Sequence, residues 1–130
     1  MPHLLLGSFM AGAALANARL GVIHGLAHPL GALYSVPHGH VCASCLMPSI
    51  RFNREAMGAK YDNLGKALGG DFAEKAEGFL NTLKIESPFK GRAVMEKELI
   101  IRETLSSGST AANPRPVTRE DVEHLLAEIF

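Results

Sequence analysis

The run from Leu4 to Ala18, LLLGSFMAGAALANA, is apolar or small at nearly every position and carries no charge. Such a run has few fates: a membrane span, an export signal, or a helix buried among other helices. It stops at Arg19, short of the ~20 residues that cross a hydrocarbon layer. Its Ala-Leu-Ala and Ala-Asn-Ala ending looks like a small-residue cleavage site, yet Met1-Pro2-His3 offers no Lys or Arg for the positive flank of a signal. The helix reading seats Pro2 in the first turn, where its missing N–H costs nothing. Apolar residues continue past Arg19, so the expectation is a central helix from Leu4 to about Ala27.

Pro29, Gly31 and Pro37 then mark a connector from Pro29 to Pro37. A second apolar helix is expected over His40 to Phe52, kinked or ended locally at Pro48. Ala56 to Leu68 is more amphipathic and closes on Gly69-Gly70, after which Asp71 is placed to cap another helix. There Phe72, Ala76, Phe79, Leu80 and Leu83 fall on one stripe at helical spacing. Glu96 to Leu105 reads as a helix with Leu99, Ile100 and Leu105 inward, followed by a turn-rich connector from Ser106 to Pro116. Thr118 and Asp121 make an approximate capping box before a last helix bearing Val122, Leu125, Leu126 and Ile129. No segment alternates with period two. The chain reads as a single all-α domain over residues 1–130, with five or six helices.

Composition narrows the function classes. Thirteen Lys+Arg balance thirteen Asp+Glu, which lacks the basic footprint of a nucleic-acid binder. An apolar share of 47% against 20% charged excludes a disordered chain. Two cysteines make no disulfide framework, and a reduced, cytoplasmic setting is the expectation, with no membrane partner.

Five of the six histidines lie in the first forty residues: His3, His24, His28, His38 and His40. His24 and His28 are four apart, so a helix puts them on one face one turn apart. His38 opens the next helical run. Imidazoles converging from two elements suit a divalent metal; the plain alternative is core or solvent-facing histidines. A second constellation competes. In His38-Gly-His-Val-Cys42-Ala-Ser-Cys45 a CxxC lies beside two histidines, as in a compact zinc site or a redox dithiol. Buried cysteines acting as small hydrophobes are the bland reading of the same residues.

The stretch Ala14 to Gly39, ALANARLGVIHGLAHPLGALYSVPHG, resembles the second histidine-rich motif of the iron-containing (group III) alcohol dehydrogenases. Ser109 to Asp121, STAANPRPVTRED, is similar to the NPR segment before that family's last helix. Order and spacing agree with the C-terminal part of the helical domain, and the resemblance covers essentially the whole chain. It implies a helical bundle like the C-terminal domain of the dehydroquinate synthase-like and iron-containing alcohol dehydrogenase fold. It also implies that Leu4 to His24 is an interior helix rather than an export signal.

Family members pair an NAD(P)-binding α/β domain with a helical domain that holds a divalent ion, usually iron and sometimes zinc, on one Asp and three His. The resemblance places two of those ligands at His24 and His38. It places His28 beside substrate and nicotinamide, in a proton-transfer role, and gives Cys42 and Cys45 no chemistry. The family's Asp-x-x-x-His helix and GGGS-type phosphate loop have no counterpart in this sequence, whose first Asp is Asp62. The expectation is therefore a segment of a metal- and NAD(P)-dependent alcohol dehydrogenase acting on a small alcohol or carbonyl. It would be inactive alone, completed by a nucleotide-binding domain or chain, or self-associated as a homo-oligomer. The alternative is a free-standing helical binding or assembly module derived from that fold, without dehydrogenase activity; metal and NAD(P) belong to the complete family enzyme and need not be held by this chain alone.

Overall fold

Apolar residues at helical spacing and no period-two alternation leave helices as the only regular structure. The computed structural model, which describes residues 2–130, contains no strand among the described residues. Its helices are α1 (Pro2–Ala18), α2 (Val22–Tyr34), α3 (His38–Met57), α4 (Ala59–Leu68), α5 (Phe72–Thr82), α6 (Lys97–Ser106), the single turn α7 (Gly108–Ala111) and α8 (Arg119–Ile129). That is more than the five or six expected, because the first long run breaks in two and the Ser106–Pro116 connector holds α7.

The long helix expected from Leu4 to Ala27 is two helices. Arg19 adopts φ 63° and Gly21 is extended, so α2 leaves α1 at a bend of 102°. No single helix among the described residues is long and apolar enough to cross a membrane. α1 is not central. It buries none of its residues and no other helix packs on it, so Leu4, Leu5, Phe9 and Met10 face outward. An all-round apolar surface signals burial but says nothing about which partner provides it.

The centre is α2, which packs against α3, α6 and α7. Its Val22, Leu26 and Leu30 join Val41 and Cys45 of α3, Phe89, Ile100 of α6 and Leu125 of α8 in one apolar core. Each Leu or Ile removed from water there contributes roughly 1.5–3 kcal/mol. A smaller cluster of Ile50, Tyr61 and Ala76 holds α3, α4 and α5 together.

The connector expected from Pro29 to Pro37 shrinks to Ser35, Val36 and Pro37, because α2 runs through Pro29. Proline cannot donate to the carbonyl four residues back. That carbonyl belongs to Gly25, and Thr104 of α6 supplies the missing donor through Oγ1 at 3.4 Å. Gly25 also lets α7 pack close to α2: a Cβ there would overlap Thr110 Oγ1. α3 likewise passes through Pro48 and runs on from His38 to Met57, longer than the expected His40–Phe52, so α4 begins only after Gly58.

The α5 stripe is only partly inward. Ala76 is buried and Phe72 packs on the second cluster, whereas Phe79 and Leu83 are 58% and 65% exposed. On α6, Ile100 and Ile101 face the core and Leu105 faces outward. The capping box is formed as read: Asp121 N–H donates to Thr118 Oγ1 at 3.2 Å, and Thr118 N–H donates to Asp121 Oδ2 at 2.9 Å.

Candidate metal centre

His24 and His28 sit one turn apart in the first half of α2, and His38 is the first residue of α3. The tight Ser35–Pro37 turn, with Ser35 in the left-handed region at φ 54°, returns the chain so that the three rings meet. The His24 and His38 ring centroids are 5.2 Å apart, and His28 lies edge-on to His38 at 6.0 Å. His3 and His40 are exposed, while His124 pairs with Glu128 on α8.

Cys42, one turn along α3 from His38, turns its thiol into the same space. Its Sγ is 3.4 Å from His38 Nε2 and 3.9 Å from His24 Nε2. One donor atom from each of His24, His38 and Cys42 lies within 4.8 Å of the others. Three ligands about 2.0–2.3 Å from one tetrahedral ion stand about 3.3–3.8 Å from each other, so this donor set is close to metal-binding geometry. Cys45 goes elsewhere: it is fully buried in the main core, and burial, aided by the nearby Cys42, pushes its thiol up to about 12. The CxxC is thus divided between an imidazole cluster and an apolar core.

The protonation states of His24 and Cys42 pull in opposite directions. Burial, followed by the nearness of His38 and then His28, holds His24 below the ordinary histidine range, so it is neutral at pH 7 with a free lone pair. Burial raises the Cys42 thiol, so it stays protonated until an ion displaces the proton. His28 Nδ1 lies 3.2 Å from the His24 carbonyl oxygen, which only accepts, so Nδ1–H donates there and Nε2 is the ring nitrogen left free. His28 also borders a cleft of about 550 Å³ between α2 and α6, lined by Gly25, Pro29, Leu33 and Leu99.

What sets the two ligand helices in register lies far away in sequence. Asn113, in the Asn-Pro-Arg segment, accepts from the Val22 N–H at 3.2 Å and so caps the first turn of α2. Asn113 and Asn53 of α3 also exchange amide hydrogen bonds, at 2.7 and 3.2 Å. Arg115 stacks 4.0 Å over the Phe52 ring and pairs with Asp121, pinning the segment between α3 and α8. Residue spacing exposes neither Asn53 nor Asn113; the CxxC beside two histidines is the signal that marked the Cys42 thiol.

The profile of the Fe-containing alcohol dehydrogenase family, C-terminal, matches residues 2–130. The chain belongs to the iron-containing alcohol dehydrogenase family. Lactaldehyde reductase of Escherichia coli strain K12 is 30% identical over 95% of this chain and 36% of its own length. 1,3-Propanediol dehydrogenase of Klebsiella pneumoniae is 29% identical over 95% of the chain and 35% of its own length. A solved 1,3-propanediol oxidoreductase superposes with a TM-score of 0.81 at 28% identity, again over 95% of this chain and 36% of that one. The iron-containing alcohol dehydrogenase fold is therefore the fold of this chain, which spans about a third of the length of these relatives.

Proposed function

We propose that this chain is the metal-holding helical part of an NAD(P)-linked oxidoreductase that interconverts small alcohols and carbonyls. His24 and His38 are the metal ligands it contributes, and His28 handles the proton. The observation that carries the reading is the convergence of the His24 and His38 rings from separate helices, with His28 beside them at the mouth of a cleft. Membership of the family supports it, as do the activities named for the relatives, lactaldehyde reductase and 1,3-propanediol dehydrogenase.

The donor set fits iron or zinc, both of which accept imidazole. When bound, the ion supplies Lewis acidity toward an alcohol or carbonyl oxygen while NAD(P) exchanges hydride with carbon. His24 and His38 hold the ion. His28, with Nδ1–H fixed on the His24 carbonyl, presents Nε2 to take the alcohol proton or to return it to a carbonyl oxygen. The apolar wall of Pro29, Leu33 and Leu99 excludes water from the substrate's carbon side.

Two imidazoles lack the anionic ligand that holds a divalent cation tightly, and the sequence contains no GGGS-type phosphate loop. The chain by itself neither turns over alcohols nor binds NAD(P) tightly, and a nucleotide-binding domain or chain completes it. The bare apolar face of α1, with Leu4, Leu5 and Phe9 73–74% exposed, supports a covering partner or a second copy. A reducing, cytoplasmic setting suits the two free cysteines. The test is reconstitution with a family nucleotide-binding part, followed by metal content and alcohol-dependent NAD(P) reduction. Turnover that survives loss of both His24 and His38 sinks the reading.

A further inference from the structure

We propose that Cys42 is a third metal ligand, so that His24, His38 and Cys42 form a His2Cys site for a thiolate-preferring divalent ion such as zinc. The inference rests on the reading of His24 and His38 as ligands and adds to it a donor to which the family resemblance gives no role.

Geometry carries the argument. His38 and Cys42 lie one turn apart on the same face of α3, and a thiol and an imidazole there converge on His24 from α2. Of the two Sγ–Nε2 separations, 3.4 Å falls within the about 3.3–3.8 Å expected between ligands of one small ion and 3.9 Å lies just beyond it. The ion needs only a slight rearrangement of side chains that are half-buried or exposed. By contrast, Cys45 three residues on is sealed in the main core, so the second thiol of the CxxC does not compete.

Chemistry selects the ion. Thiolate is a soft donor, and with two imidazoles it favours zinc over magnesium, calcium or manganese. On binding, the Cys42 S–H bond breaks, its proton passes to water and the sulfur lone pair forms the metal–sulfur bond; no electron changes hands. The thiolate also supplies the anionic charge that an imidazole pair lacks. This chain then holds a metal without help from any upstream carboxylate. One position of a tetrahedral ion is left without a ligand from the chain, the arrangement of zinc sites that act on substrates.

The experiment is titration of the purified, reduced 130-residue chain with Co(II), read by absorption, then displacement by Zn(II). The expected result is one ion per chain, with a near-ultraviolet thiolate-to-cobalt charge-transfer band. Cys42→Ser abolishes that band and weakens binding at least ~10-fold, as loss of one of three ligands should. Cys45→Ala and His28→Ala keep the band, and circular dichroism verifies that each variant folds. A band that survives Cys42→Ser, or that disappears only in Cys45→Ala, overturns the assignment. So does a wild-type chain that binds no Co(II) or Zn(II). If Cys42→Ser binds like wild type while His24→Ala and His38→Ala do not, the thiolate assignment falls and the imidazole pair stands. If neither histidine matters, the reading beneath it falls as well.

Discussion

Asn53 and Asn113, sixty residues apart, face each other with both amides exchanging hydrogen bonds, and Asn113 Oδ1 also receives the Val22 N–H. One side chain therefore caps the helix that carries His24 and ties it to the helix that carries His38. Asn113→Ala leaves a helix-end N–H and a half-buried amide without partners, a loss of about 2–3 kcal/mol in chemical denaturation. Co(II) or Zn(II) affinity should fall with it even in the folded fraction, because the imidazoles lose their common register. A variant that is destabilised but binds metal as tightly as wild type would confine Asn113 to a purely structural role.

Thr104 serves the Gly25 carbonyl that Pro29 leaves without its helical donor inside α2. Thr104→Val keeps the shape and removes the donor, and should cost about 1–3 kcal/mol for a buried acceptor left unpaired. Gly25→Ala should cost at least as much, since its Cβ overlaps Thr110 Oγ1 and forces α2 from α7. Denaturation midpoints for the two variants decide this; wild-type stability in Thr104→Val would mean that the α2 carbonyl finds another donor.

In the completed enzyme His24→Ala and His38→Ala should lose metal and turnover together. His28→Ala should keep its metal while turnover falls on the order of 10²-fold, the usual scale for losing a proton-transfer group. Metal analysis beside steady-state kinetics separates the two effects. Equal metal loss in all three variants would remove the distinction between holding the ion and moving the proton.

Asp71 caps α5. The Glu74 N–H, then the Tyr61 hydroxyl, the Ala73 N–H and Arg54 hold its carboxyl below the ordinary aspartate range. A depressed folded value means that Asp71 contributes stability above its unfolded value, about 3.9, and that this contribution disappears as pH falls through the folded value. Asp71→Asn should therefore lower the denaturation midpoint at pH 7 and flatten the loss of stability below about pH 4. A variant with the wild-type acid profile would show that the cap is not a source of the pH dependence.

α1 displays Leu5 and Phe9 at 73% and 74% exposure, and a patch of that kind seeks cover. Sedimentation of the chain alone should show self-association that Leu5→Glu with Phe9→Glu reduces or abolishes. A wild-type monomer would leave a complementing chain as the cover for α1.

Sequence alone determined what depends on neighbours within a turn or two. The helical class, the Asp71 cap, the Thr118–Asp121 box and the shared face of His24 and His28 all follow from spacing of three or four along a helix. Those regularities are local, so they hold wherever the helix is placed. What the tertiary structure decided are the places where distant groups repair or break a local rule. Thr104 lets α2 pass Pro29, the α1–α2 bend at Arg19 strips α1 of packing, and Asn113 caps a helix 91 residues earlier. The direction of Cys42, toward two imidazoles rather than into the core with Cys45, belongs to the same group. A helix has only one phase per residue, and the surface each phase meets is set by long-range contacts that no window of the sequence contains.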